Sequence, residues 1–502
     1  MVAVGAVTAS SARIWCRAGR SGPHQLVIGT ADAPPITVEI VIPDGSADRT
    51  CAWTYPDEFP DATRLAPTTA HEFRIAHQDG SMVGHGRFTT APEVANTPHT
   101  FAFAALSCHQ PFDDKGEVAE RSREMLQVAH EAMTVRRAQF FVAMGDQVYS
   151  DAPPAHSLFD DDYFERIAPN GRASLLACTR EEIRALFQQR YRQFWVMPEL
   201  QRIYADFPSW PMLDDHEVVD NFGSLEEHAT PEWDPVREGA LDAFHDYQAS
   251  RVFTAAPGTR PRSFDHGFRW GGTAVYQLDN RSERRAYAEH TQVLTEAQVS
   301  AFREFLQANV DARLTVVMVP VPLVFVPSRL ANLAGALTHH EGIERWSHDR
   351  CLPDRDRILR LLVEHGRKHP AQKILLLSGD IHAGTAYEIT WPGGPVLHQL
   401  TASALTNKES RVTTFLTEMA PRTVSSLSFD GVEAEVTLVA AADDAPSKNP
   451  FGGLNLGFVH VDDDGHRVAV RLELVSLTDD ERPTAETVYL SPWLGADGTP
   501  RR

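Results

Sequence analysis

Cysteine, basic charge and long apolar runs are all scarce in this 502-residue chain, and each shortage excludes something. Five cysteines (Cys16, Cys51, Cys108, Cys178, Cys351) are too few and too widely spaced for a disulfide framework, and the odd number leaves at least one thiol free or bound to something else. No stretch approaches the roughly 18 consecutive apolar residues of a membrane span, so no transmembrane segment is expected. The opening MVAVGAVTASSARIWCR has no basic stretch leading into an apolar core, so no secretory signal is visible. The expectation is a soluble protein, cytoplasmic or exported with a signal outside this chain. Lys and Arg total 47 against 68 Asp and Glu, a net charge of -21, which disfavours long nucleic acid and anionic lipid as partners. A polyanionic substrate would need positive charge concentrated locally, and bound di- or trivalent cations supply that without a basic patch. There is no convincing internal repeat and no low-complexity tract.

What remains is ordinary for a globular protein: 42% hydrophobic and 23% charged residues, in a chain long enough for two or three folding units. Residues 1–95 hold short alternating runs (SARIWCRA, HQLVIGT, PITVEIVIP, AHEFRIAH) divided by Gly, Pro, Asp and Thr, the pattern of a small antiparallel sandwich. Cys16 alternates with Arg13 to Arg17 so as to face its core. After a linker at 92–98 the pattern becomes apolar strand, polar loop, amphipathic helix, as in an α/β unit. That unit is expected over 96–425, with a helix capped by the Thr295/Gln298 box and two long excursions at 151–180 and 330–349. Residues 426–502 return to β (VEAEVTLVAA, LGFVHVDDDG, RVAVRLELVS) and are expected to pack on the α/β unit as an extension.

Four apolar runs of strand length stop abruptly on chemistry-bearing residues. FAFAALSCHQ breaks at Ser107, Cys108 and His109; QFFVAMGDQVYSD at Gly145, Asp146, Tyr149 and Asp151; WPMLDDHEVVDN at Asp214, Asp215, His216 and Glu217; KILLLSGDIHAG at Gly379, Asp380 and His382. Buried parallel strands deliver such residues into the crevice beyond their carboxyl ends. Thiolate, carboxylate and imidazole converging from separate strands are what a metal ion requires. Asp146 either caps the following amides or bridges two cations about 3.5–4 Å apart. Tyr149 points to Fe³⁺, because a phenol with an ordinary pKa near 10 ionises at neutral pH only beside a hard trivalent ion. Asp151 is a further ligand or an acceptor behind the ligands, Asp215 ligates, and His216 donates a proton to the leaving oxygen. Asn221 either adds an amide oxygen or lies outside the site. Asp380 and His382, two apart, share a face if the segment is extended. Arg281, two residues after Asp279, either forks to phosphate oxygens or forms a structural ion pair. His109 is expected in an exposed loop, and His339, His340 and His348 on the surface of the second excursion.

In the order SCHQPF, GDQVYSD, DDHEVVDN, LDNR, RWSHDRCLPDRDRIL, SGDIH, these motifs resemble the PhoD-like family of metal-dependent alkaline phosphatases and phosphodiesterases, from about residue 100 to 405. The resemblance implies a four-layer calcineurin-like α/β sandwich behind a fibronectin-like β-sandwich, with Fe³⁺ and Ca²⁺ as the metals and other divalent cations as alternatives. It places Cys108, Asp146, Tyr149, Asp215, Asp380 and His382 at metal-ligand positions and His216 at the catalytic histidine. The wider superfamily opens with Asp-x-His where this chain has Ser107 and Cys108, and carries a ligand histidine where this chain has Val321 and Pro322; both departures fit the PhoD-like branch. The expected activity is hydrolysis of a small phosphate mono- or diester by metal-activated hydroxide. The rivals are a catalytically silent, metal-stabilised ligand-binding protein and a nuclease or phospholipase sharing the same centre. Oligomeric state is not readable.

Overall fold

The computed structural model describes residues 1–31, 33–94, 98–255, 259–338, 342–407, 414, 418–496 and 500–501, of which 337, 338, 500 and 501 by backbone alone. His339 and His340 lie outside the described residues. The chain begins with a β-sandwich. Strands Val2–Val7, Ala12–Arg17 and Thr50–Tyr55 form one antiparallel sheet, and Ala33–Ile42, Gly22–Thr30, Ala70–His77 and Met82–Thr89 form the other. Alternation decides which face turns inward: in Ala70–His77, His71, Phe73 and Ile75 are buried while Glu72 and Arg74 are exposed. Cys16 is in the core, as its alternation predicts.

Two eight-stranded sheets follow. The first runs Ser209–Pro211, Ala138–Ala143, His99–Leu106, Leu456–Asp463, Val468–Leu477, with three short strands at its far edge. Its first three strands are parallel. The second runs His266–Trp270, Thr273–Gln277, Leu314–Met318, Lys373–Ser378, Val396–Thr401, Thr385–Thr390, Val432–Leu438, Ser426–Phe429, with four consecutive parallel strands from Thr273 to Thr401. Their apolar runs are continuous because both faces are covered. Phe103, Ala105, Phe140 and Val142 pack between the sheets with Val275, Val316, Met318, Leu375 and Leu377. The alternate residues face outward: Ala104, Leu106 and Phe141 meet Met125, Leu126 and Ala129 of helix Glu120–Val135, and Tyr276, Val317 and Leu376 meet Phe302 of helix Glu296–Ala308 and Leu362 of helix Leu352–Lys368. The result is a four-layer α/β/β/α sandwich. Each large apolar side chain buried in it contributes about 1.5–3 kcal/mol.

Several elements differ in detail from the pattern. Helix Glu296–Ala308 is capped by Thr295 and Gln298 as the spacing predicts. Helix Asp234–Tyr247 carries Pro235 in its first turn, where a missing N–H leaves no bond unmade. The excursion at 151–180 carries a short helix, Asp161–Ile167, capped by Asp160, and the one at 330–349 overlaps helix Ser328–Thr338. Residues after 426 enter both sheets: Val432–Leu438 pairs with Thr385–Thr390, and Leu456–Asp463 pairs directly with His99–Leu106.

The sandwich is keyed to the α/β unit through polar contacts. Asp48 accepts from Arg17 at 2.8 and 3.1 Å, from Arg192 at 2.6 Å, and from the Tyr247 hydroxyl. Trp15 Nε1 donates to the Asp246 carbonyl at 2.9 Å. Gly5 is required here: a Cβ would lie 2.0 Å from the Arg251 carbonyl oxygen.

Candidate metal centre

All the parallel strands deliver their carboxyl ends to one place. The approach is close enough that two glycines are obligatory. A Cβ on Gly145, which also has φ 87°, would fall 2.3 Å from Asp214 Cβ, and one on Gly379 would fall 2.2 Å from Ser107 Oγ. The residues beyond the strand ends turn sharply: Cys108, Asp146, Asn221, Asp380 and His382 have φ of 55°, 56°, 58°, 68° and 52°. Left-handed backbone at non-glycine residues costs on the order of 1–3 kcal/mol each and persists only where the surroundings impose it, commonly at functional sites.

Cys108 Sγ and the Tyr149 hydroxyl each lie 3.3 Å from Asp146 Oδ2, and Ser403 Oγ lies 3.0 Å from Cys108 Sγ. Tyr149 OH is 3.5 Å from His382 Nε2, and Asn407 Nδ2 lies within 3.2 Å of both. Tyr149 stacks on the His216 ring at 4.0 Å, and His216 Nδ1 is 2.8 Å from Asp151 Oδ1. Asp151 therefore stands behind the imidazole, orienting it. Asp380 and His382 do not share a face, because the left-handed turns at both break the extended geometry their spacing suggested. Asp380 turns toward Asp214 and Asp215 while His382 turns toward Tyr149.

Asp146, Asp215 and His216 offer ligand atoms within 4.8 Å of one another, and so do Asp214, Asp215 and Asp380. Asp215 is the member the two groups share. The donor set fits cations on a further observation. Among the described residues Asp146 Oδ1, Asp214 Oδ2 and Asn221 Oδ1 are buried with no hydrogen-bond partner, while Asp215 Oδ1 is met by Arg281 at 3.4 Å; buried carboxylate oxygens without a donor are strongly disfavoured unless a cation takes that place. Asp146, Asp151, Asp214, Asp215, Glu217, Glu344 and Asp380 crowd around Arg281, Arg345 and the His216 imidazole, with Arg190 acting on Asp151 and Arg284 on Glu344 and Asp214. Burial pushes the Asp146 carboxyl well above the carboxylate range; His216 opposes this, and Asp215 and Asp214 add to it. Asp214 is raised to about 7, by burial first, with Arg281 opposing. Burial also raises the Cys108 thiol and the Tyr149 phenol, each reinforced by Asp146. A cation entering the centre reverses these shifts and displaces protons. For His216, burial works against the charged ring, but Asp151, then Asp215 and Asp146, outweigh it and hold its proton well above the ordinary range.

Arg281 is fully buried. Its Nε bonds Asp214 at 2.5 Å and its terminal nitrogens reach Glu344 at 2.8 Å, the Phe222 carbonyl at 3.3 Å and Asp215 at 3.4 Å. Of the two readings open from sequence, the ion pair is the one these contacts express; the guanidinium has no open edge to fork to phosphate. Asp279 accepts backbone N–H bonds from Phe264, Arg281 and Ser282 and shapes that turn. His109 is buried rather than exposed, bonds Thr406, and is pushed down to about 3 by burial. His348 is half-buried, and its Nδ1 accepts from the Arg350 amide.

Two contributors escaped sequence reasoning, and a third, Glu217, was named at its strand end without a role. Glu217 accepts from the amides of Asp146, Asp214 and Gln147 and from Gln248 Nε2, at 2.7–3.1 Å, tying two strand-end loops together. Arg345, from the second excursion, pairs with Asp380 and lies 3.1 Å from Glu344. Asn407 sits between Tyr149 and His382. The motif RWSHDR marked the region of Arg345, but nothing local singled that residue out.

A family model described as PhoD-like phosphatase matches residues 103–472, well over half the chain. The chain belongs to the PhoD-like phosphatase family. It is thus a metal-binding hydrolase of the phosphatase class. The solved structure of PhoD matches with a TM-score of 0.70 at 14% identity, covering 100% of this chain and 91% of that one, a likeness that shows the shared fold. No curated protein matches the chain. Among the described residues no helix of this PhoD-like phosphatase is long and apolar enough to cross a membrane.

Proposed function

We propose that this PhoD-like phosphatase hydrolyses small phosphate mono- or diesters at a centre built for Fe³⁺ and Ca²⁺, with Cys108, Asp146, Tyr149, Asp215, Asp380 and His382 as the ligands. The observation that carries the reading is the set of buried oxygens without a donor on Asp146 and Asp214, beside Asp215, at the ends of parallel strands. Bound there, cations supply Lewis acidity that makes hydroxide available at neutral pH and positive charge facing the ester. The chain's own residues do the rest. Asp151 fixes the His216 ring through Nδ1, which leaves Nε2 as the atom that delivers a proton to the departing alkoxide. Arg281 holds Asp214, Asp215 and Glu344 in place and acts as a positioning residue. Iron is favoured for the Tyr149 side, because burial, Asp146 and Cys108 all oppose ionising that phenol and a trivalent ion is the partner able to overcome them.

Turnover of mono- and bis-(p-nitrophenyl) phosphate by the wild type and by Asp146→Asn tests this. The expected result is hydrolysis by the wild type and loss in the variant; near-normal activity in Asp146→Asn with full metal content would remove the site assignment. The visible spectrum separates the metals: tyrosinate bound to Fe³⁺ colours the protein purple to brown, and a colourless, iron-free, active preparation would keep the hydrolase and remove the iron.

A further inference from the structure

A cavity of about 490 Å³ apart from the metal-binding side chains is lined by Arg180, Arg237, Arg260, Arg262 and Arg285, with Glu238 and Glu283 among them. Such a convergence stands out in a chain of net charge -21. Most of these guanidiniums are matched. Arg180 forks to Asp242 at 2.6 and 2.8 Å, and Arg260 reaches Asp242 at 3.1 Å and Glu238 at 2.6 Å. Arg237 pairs with Asp234 and lies 3.4 Å from Glu238, and Arg262 lies 3.0 Å from Glu283. Four carboxylates thus answer four arginines, and Arg285 is the fifth. Its donors go to the carbonyl oxygens of Ser282 and Arg284, at 3.4 and 2.6 Å, and among the described residues no carboxylate lies within 4 Å of it. Burial, then the charge of Arg237, weaken its hold on its proton, with Glu283, Tyr287 and Asp234 opposing.

We infer that this cavity binds an oxyanion of the phosphate class, with Arg285 as its principal donor and Arg237 and Arg262 beside it. Planar guanidiniums present paired N–H groups that match tetrahedral oxyanions. The choice of phosphate rests on the hydrolase reading above. The cavity is joined to the metal centre through one loop: Ser282 and Arg285 line it, Arg281 just before them holds Asp214, and Arg284 between them donates to the Glu344 carbonyl at 3.1 Å. An anion bound here therefore acts on the segment that positions Arg281.

Calorimetric titration of inorganic phosphate into full-length Asp146→Asn protein, with and without Arg285→Gln, tests the site without needing turnover. The account predicts saturable binding that Arg285→Gln weakens at least about tenfold and Arg285→Lys partly restores. Equal affinity in Arg285→Gln, or no heat up to about 10 mM phosphate, overturns it. Should Arg285→Gln fail to fold, Arg262→Gln decides, because that side chain is 86% exposed and its loss leaves the core intact; severalfold weakening supports the site and unchanged affinity removes it. The source of the anion is read from kinetics in an Asp146 background. If free phosphate is the ligand, Arg285→Gln abolishes the non-competitive part of phosphate inhibition. If it is a distal phosphate of the substrate, Arg285→Gln raises KM for a doubly phosphorylated ester and leaves that for p-nitrophenyl phosphate unchanged. A wild type inactive on every ester would sink the hydrolase reading while leaving the titration to stand or fall alone.

Discussion

The metal centre and the junction between the β-sandwich and the α/β unit are both buried, polar and rich in aromatic rings, yet their charge bookkeeping is opposite. At the junction Asp48 meets Arg17, Arg192 and the Tyr247 hydroxyl, and its carboxyl is held low, at about 2; burial alone would raise it, and the hydrogen bonds from Arg17, Tyr247 and Arg192 outweigh that. At the centre Asp146 accepts from a thiol and a phenol, keeps one oxygen without any donor, and is pushed up. A satisfied network is what structure alone requires, whereas an unsatisfied one marks a place meant for something else. Left-handed backbone does not separate the two regions: it occurs at Cys108, Asp146, Asn221, Asp380 and His382 of the centre and also at Asp48 and Arg49 of the junction.

The sharpest way to break this contrast is to neutralise one carboxylate on each side. Asp146→Asn is expected to lower kcat/KM by about a thousandfold or more, read by steady-state assay, since it removes a ligand from the reacting centre. The metal-free form of that variant should melt no lower than the metal-free wild type, because burial already disfavours the charged Asp146 carboxyl there and the amide is neutral. Asp48→Asn should leave kcat/KM nearly unchanged.

Next in size is Arg281→Met. It leaves Asp214 and Glu344 buried without their cation, and urea unfolding of the metal-free protein should report a loss of about 3–5 kcal/mol. Metal loading should recover part of it. An effect confined to KM, with stability unchanged, would instead return Arg281 to phosphate binding. Asp48→Asn is expected to cost about 1–2 kcal/mol in the same experiment, with or without metal.

The smallest effect is in the pH dependence of stability, and its sign differs between the two regions. The Asp48 carboxyl is lower in the folded than in the unfolded chain, so its contribution is present above pH of about 4 and is lost as pH falls toward about 2. Asp214 is raised to about 7 and Glu217 also to about 7, both by burial first. The metal-free fold binds those protons more tightly than the unfolded chain, so its stability falls as pH rises from about 4 to about 7. Thermal melts across that range should show the decline in metal-free protein and its disappearance in metal-loaded protein.

Much of the site was legible because strands covered on both faces read as continuous apolar runs, and such runs ending on Cys108, Asp146, Asp215 and Asp380 announce their own carboxyl ends. The Thr295/Gln298 cap was legible for the same local reason. The rest depends on contacts between distant segments. Nothing near Arg345 or Asn407 indicates that they reach Asp380 and Tyr149, and the strand pairing of Leu456–Asp463 with His99–Leu106 spans most of the chain. Arg281 shows the limit most clearly: its spacing is the same whether the guanidinium turns outward to a phosphate or inward to Asp214, and only the fold chooses.

The central claim is that the oxygens without a donor on Asp146 and Asp214, with Asp215 beside them, are there to hold cations. Elemental analysis of the purified chain, wild type beside Asp146→Asn, measures it directly. The account predicts at least one tightly held ion per wild-type chain, retained through dialysis, with content and esterase activity falling together in the variant. A wild type that stays fully active after its metal has been stripped to background would contradict it.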